Sequence, residues 1–381
     1  MTALHELGEG LAGTALYEAV AARSSGRWEA AHSAARTMAS QPATTHRTGA
    51  SLYRGAPAVA FALHTAGHPA YRTALAALDE RIRRLIQSRL GDAHRRMDTH
   101  TPPCMREYDL ISGLTGLGAY LHYRGTQADL LDAVLRYLVR LIEEPVQLHG
   151  NRLPGWWTSD GPRGKPEEGR PLGHGNFGMA HGVSGPIALL ALCARAGHEV
   201  PGQRQALVHA CRVLKEWARP QPGRACWPET VTAPQWLAKE PQRPRPGRPS
   251  WCYGTPGIAR SLQLAALACQ QTALQHEAED ILTVCASDPE QLALLDDMTV
   301  CHGWSGFSLV LHRAAADARE GSALRQLGAT VHARLRALTV QGPLPRTPGL
   351  LTGADGIQLT MHTLTLVPAV APGWDTCLLL A

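Results

Sequence analysis

Long apolar runs are missing from this sequence. None approaches the roughly 18 residues needed to cross a bilayer, and the opening residues Met1 to Gly8 carry no basic stretch leading into an apolar one. Neither a membrane span nor a secretory signal is indicated, so a soluble cytoplasmic protein is the default expectation. Charge of one sign is also lacking: 37 Lys and Arg against 32 Asp and Glu leave a net charge of +5, and the arginines are spread over helical segments or lie in a Pro-rich loop. That balance speaks against nucleic acid as a partner. A cysteine framework is absent too, because nine cysteines, an odd number without compact spacing, do not read as a secreted disulfide scaffold. Cys193, Cys211, Cys269 and Cys285 fall within helical segments as apolar fillers, and Cys104, Cys226 and Cys377 have no assigned role.

What the chain does have is a recurrent Gly-x-x-Gly turn. It occurs at Gly10–Gly13, Gly55–Ala58, Gly113–Gly116, Gly182–Gly185, Gly254–Gly257, Gly303–Gly306 and Gly353–Gly356, with Ala58 replacing the second glycine once. The period of about 45 to 70 residues is that of helical-pair repeats. Each turn leads into a mostly apolar stretch such as Pro186 to Leu192 or Ile258 to Leu264, the start of a buried helix. Between these stretches, segments of mixed charge and helical spacing predict outer helices over Arg27 to Gln41, Ala70 to Leu90, Ala128 to Glu144, Arg204 to Arg219, Ala273 to Ala286 and Ala323 to Leu338. The expectation is an all-α fold, an α/α toroid of seven inner and about seven outer helices, forming a single domain over residues 1–381. Two Pro- and Gly-rich interruptions, near 150–174 and 220–250, precede the fourth and fifth turns. Loops of this length are substrate-contacting walls or solvated insertions.

The repeat also gathers the chemistry. Counted back from the first glycine of each turn, Cys252 and Cys301 stand at minus two, His181 and His302 at minus one, and Asp109 at minus four. Structural equivalence of the turns would bring all five to one end of the toroid. Cys252, Cys301 and His302 make a thiolate, thiolate, imidazole set able to hold one zinc ion with its fourth tetrahedral position open. For each residue there is also a purely structural reading: Asp109 as a helix cap, His181 as a satisfied core histidine, and Trp251 and Trp304 as packing anchors. His174 reads as a loop residue.

Four of these motifs in order, Tyr108-Asp109-Leu-Ile-Ser-Gly-Leu-Thr-Gly, Ala180-His181-Gly-Val-Ser-Gly-Pro, Trp251-Cys252-Tyr253-Gly-Thr-Pro-Gly and Cys301-His302-Gly-Trp-Ser-Gly, resemble the LanC lanthionine synthetase cyclases over essentially the whole chain. The resemblance implies an α/α toroid, a Zn2+ cofactor held by Cys252, Cys301 and His302, and acid/base residues at His181 and Asp109. It also implies an arginine four residues before the first zinc cysteine, matched by Arg248. The implied partners are a dehydrated precursor peptide, a separate lanthipeptide dehydratase and a membrane-associated transporter complex. The sequence departs from the pattern at Ala58 and in the Pro- and Arg-rich loop before Trp251, which bears on substrate selectivity. There Arg243, Arg245 and Arg248 are candidates for recruiting an acidic part of the peptide.

The chemistry follows from the residue types. A thiol with a pKa of about 8.5 is mostly protonated near neutrality, and zinc coordination removes that proton. Two thiolate ligands would keep a third, substrate sulfur electron-rich, which suits attack by sulfur better than activation of water. Addition to the β-carbon of a dehydroalanine or dehydrobutyrine generates an enolate that needs a proton. His181 is the expected acid, oriented by Asp109, with Arg248 or Tyr253 stabilising the enolate oxygen. Two rivals are a zinc thiolate enzyme of another kind, prenyltransferase-like or glutathione-transferring, and a non-catalytic scaffold that presents a leader peptide. Only three Phe and 5% aromatics overall argue against an isoprenoid channel, and His181 with Asp109 beside an open zinc position argues against a scaffold.

Overall fold

The seven turns each start an inner helix that is largely apolar or small-residued and in large part buried. In the fourth, Ser184–Arg195, every side chain from Ser184 to Ala194 is buried. A helix with no polar face needs neighbours on all sides, and the inner helices provide them for one another. Leu11–Ser25, Ala56–Ala66, Leu114–Arg124, Ser184–Arg195, Thr255–Ala268, Trp304–Asp317 and Ala354–Thr365 touch in sequence order, and the last touches the first. This closed ring is the inner layer of an α/α toroid. The computed structural model describes residues 4–160, 170, 172–221, 224–240, 247–365 and 373–381.

Outside the ring lie six amphipathic helices: Glu29–Ala39, Arg72–Asp98, Ala128–Glu143, Gln203–Trp217, Thr272–Ser287 and Leu324–Gln341. The third shows why. Leu130, Leu131, Val134, Leu135, Leu138, Leu141 and Ile142 recur at spacings of three and four and are buried, while the charged residues face outward. A seventh outer helix is not found among the described residues. Residues 373–381 instead turn inward, with Trp374, Cys377, Leu378, Leu379 and Leu380 fully buried. Tyr53 donates to the Cys377 carbonyl at 2.7 Å, Trp251 Nε1 to that of Leu378 at 3.0 Å and Arg260 Nη2 to that of Leu380 at 2.8 Å. Arg313 forms an ion pair with Asp375 at 2.5 Å. This segment therefore occupies the axis of the ring.

The glycines of the turns are set by contact. A Cβ on the second glycine would meet the carbonyl oxygen six residues earlier: Leu110 at 2.1 Å from Gly116, Trp251 at 2.1 Å from Gly257 and Val300 at 1.9 Å from Gly306. The chain approaching each turn crosses the start of its own inner helix, and only a hydrogen atom fits between. At the second turn, where Ala58 stands, Gly55 takes φ 75°, whereas the residues capping the other inner helices keep negative φ.

The two long interruptions are not bare loops. Val146–Leu148 pairs with Asn151–Leu153, and His174–Asn176 in the first interruption pairs with Thr230–Thr232 in the second, all antiparallel. Trp156, Trp217 and Trp236 close over this junction, with Trp217 and Trp236 stacked at 5.1 Å. His174, expected in a loop, is a buried strand residue. Arg243 and Arg245 lie outside the described residues. No helix among the described residues is long and apolar enough to cross a membrane.

Candidate functional site

The turns are stitched edge to edge by backbone hydrogen bonds. Leu110 N–H donates to Ala180 O, Ala180 to Cys252, Cys252 to Cys301, Cys301 to Leu351, Leu351 to Gly8, and Leu7 to Tyr53, at 2.8 to 3.3 Å. The Cys252 to Cys301 link shows why two cysteines at minus two in successive turns meet. Their sulfurs and a His302 ring nitrogen all lie within 4.8 Å of one another. Two sulfurs and an imidazole are the donor set of zinc sites with one open position, so the residues present fit that ion.

The protons of this cluster are shared unequally. A hydrogen bond from Cys301, opposed by burial and aided by His302 and Ser250, holds the Cys252 thiol well below its ordinary range. The same contact, followed by burial, pushes Cys301 up. His302 is raised to about 10, first by its hydrogen bond to Asp297 and then by Cys252. Burial works against charge on Asp297, yet hydrogen bonds from His302 and Thr299 outweigh it and bring the carboxyl down to about 2.

One turn further round stands a second pair. His181 Nδ1 donates to Asp109 Oδ2 at 2.6 Å, and Asp109 Oδ1 accepts from Ser112 N–H at 2.6 Å. Asp109 therefore caps its turn with one oxygen and holds the imidazole with the other. It is fully buried, whereas the His181 side chain remains 17% exposed. The ring of Tyr253 lies 6.1 Å from that of His181, and burial raises the Tyr253 phenol, so it stays a hydrogen-bond donor. Arg248 is turned toward Asp296 at 3.3 Å and Asp297 at 3.7 Å.

Between the second and third turns no backbone bond of this kind joins the described residues. Arg89 bridges them instead, donating to the carbonyls of Arg47, Ala50 and Ser112 at 2.5 to 2.9 Å. Beside this junction opens a cavity of about 580 Å³ whose wall includes Tyr53, Arg89, Cys104, Ile111, His181 and Leu351. Its volume is that of a small-molecule or peptide-segment site, and it reaches His181.

A family model described as lanthionine synthetase C-like protein matches residues 5–379. The chain belongs to the lanthionine synthetase C-like family. Among curated family members, nisin biosynthesis protein NisC of Lactococcus lactis subsp. lactis is 27% identical over 263 residues, covering 67% of this chain and 60% of that protein, so the aligned part is less than two thirds of the relative's length. Among solved structures, nisin cyclase superposes with a TM-score of 0.80 at 20% identity, over 100% of this chain and 93% of that one, which establishes the shared toroid.

Two residues of this lanthionine synthetase C-like site escaped the sequence reading. Asp297 accepts from His302 Nε2 at 3.2 Å, and it stands at minus six, outside the repeat phase used to find the others. Asn176 hydrogen-bonds Tyr253, and its Oδ1 accepts from Gly178 N–H at 2.9 Å. It comes from the strand that only pairing between the two interruptions creates. Trp251 and Trp304 are buried packing residues whose indoles donate to Leu378 O and Leu295 O.

Proposed function

We propose that this chain is a zinc-dependent lanthipeptide cyclase, which adds a cysteine thiol of a dehydrated precursor peptide to a dehydroalanine or dehydrobutyrine of the same peptide. Its products are lanthionine or methyllanthionine rings. The observation that carries this reading is the convergence of Cys252, Cys301 and His302 within 4.8 Å, one turn from the Asp109–His181 pair. Bound there, zinc would deprotonate an incoming thiol and hold its sulfur as a nucleophile.

The protein's own groups account for the rest. As the sulfur–β-carbon bond forms, the electrons of the carbon–carbon double bond move toward the α-carbon and its carbonyl oxygen. With Nδ1 engaged by Asp109, His181 has Nε2 available on the side of the cavity, and from there it delivers a proton to the α-carbon. The buried Asp109 carboxylate fixes the ring through its bond to Nδ1. The Tyr253 phenol, kept protonated by burial, supplies a hydrogen bond to the developing oxyanion. Holding both arms of one peptide against adjoining turns replaces a bimolecular encounter by an intramolecular one.

The reaction adds S–H across a double bond, so mass is unchanged and nothing is oxidised. Incubation with a dehydrated cysteine-containing peptide should therefore remove free thiol without a mass change, and fragmentation should map the rings. Addition of glutathione or another external thiol would raise the mass by that of the thiol. Loss of no thiol at all would leave only a peptide-presenting scaffold. A separate dehydratase would have to supply the substrate, and a membrane-associated transporter complex is a further partner under this reading.

A further inference from the structure

We infer that Asp297, braced by Arg248, is a positioning residue that fixes which nitrogen of His302 faces the metal; this rests on the metal reading above. Asp297 is itself immobilised: its Oδ1 accepts from Thr299 N–H at 2.6 Å, and its backbone carbonyl accepts from Trp304 N–H at 3.1 Å. The other carboxylate oxygen, Oδ2, lies 3.2 Å from His302 Nε2 and 3.7 Å from Arg248 Nη1. A carboxylate only accepts hydrogen bonds, so the Nε2 it faces must carry the proton. In a neutral imidazole that leaves Nδ1 as a bare lone pair, the form a metal needs, and an anionic partner makes that lone pair more basic.

Arg248 gives the arrangement its reach. It stands in the strand of chain approaching Cys252, whereas Asp297 and His302 belong to the loop that carries Cys301. The guanidinium thus ties the loop of one thiol ligand to the loop of the other two ligands, and its second contact is to the exposed Asp296 at 3.3 Å. Arg248 acts on the reaction through Asp297 and His302, without reaching the substrate oxygen.

The test is zinc affinity of the full-length protein, measured by competition with a chromophoric chelator, with peptide cyclisation as a separate readout. Asp297→Asn keeps an acceptor for Thr299 but turns an amide N–H toward His302 Nε2, which favours the wrong tautomer. Affinity should fall about 10- to 100-fold, the usual worth of a histidine's outer partner, and the cobalt-substituted visible spectrum should shift. Asp297→Glu should recover part of that loss. Arg248→Ala should weaken zinc about two- to fivefold, the worth of an exposed ion pair, and Asp296→Ala should leave affinity unchanged. Zinc affinity unaltered in Asp297→Asn overturns the inference, and unaltered affinity in Arg248→Ala with lost turnover returns that arginine to the substrate. Wild-type protein that binds no zinc overturns the metal reading itself. Should Asp297→Asn fail to fold, side-chain ¹⁵N spectra of zinc-loaded wild type decide the matter: a protonated Nε2 and a ligated Nδ1 on His302 support the inference, and the reverse sinks it.

Discussion

The molecule contains two histidine–aspartate pairs at equivalent places in its repeat, and they are wired oppositely. His181 and His302 both stand one residue before a turn glycine. His181 is held through Nδ1 by Asp109, a carboxylate from the previous turn with no exposed surface. His302 is held through Nε2 by Asp297, five residues earlier in its own loop and 31% exposed. The first wiring frees Nε2 beside the cavity, where a proton can be moved. The second frees Nδ1 beside two sulfurs, where a cation can be held. One residue pair on one scaffold can thus serve two chemistries, according to which ring nitrogen the carboxylate takes.

The sharpest way to break this contrast is to remove the sulfur side. Cys301→Ala should lose nearly all zinc while circular dichroism stays helical, because the toroid is held by its apolar inner ring; full zinc occupancy by metal analysis would refute the ligand assignment. Next in size, His181→Asn should keep zinc and peptide affinity and lower turnover by about two to four orders of magnitude. Release of zinc from that variant would merge the two sites into one. Asp109→Asn should follow His181→Asn in turnover, with an added loss of stability of roughly 1 kcal/mol, measured by denaturant unfolding, because the Ser112 N–H loses a charged acceptor. The smallest effect belongs to a cysteine away from both pairs: Cys193→Ala, in the buried fourth inner helix, should leave zinc occupancy unchanged.

The contrast also shows what could be read from residues alone. The turns, the inner helices and the meeting of Cys252, Cys301 and His302 were legible because they share one period, and a shared phase converts distance along the chain into nearness in space. Outer-helix boundaries were nearly as legible, with one instructive exception. The second outer helix runs to Asp98, past Gly91, whereas the sequence pattern ends at Leu90. Burial of Ala93 and Met97 outweighs the cost of about 1 kcal/mol for a helical glycine. Asp297 and Asn176 were illegible for a different reason. Each belongs to irregular chain whose position depends on hydrogen bonds to other loops, and neither shares the repeat phase. The aromatic closure over the two interruptions was hidden likewise, because Trp156 and Trp236 lie 80 residues apart and meet only when His174–Asn176 pairs with Thr230–Thr232.

The inward-turned segment at 373–381 sets a topological limit on whatever the site handles. Most toroids invite the picture of a ring through which a strand is pulled, but here Trp374, Leu378, Leu379 and Leu380 fill the hole, and Arg260 and Arg313 bolt them in place. Under the cyclase proposed above, a peptide would have to arrive and depart by the same face. It would be folded back against that face, loop by loop, and not passed through like thread.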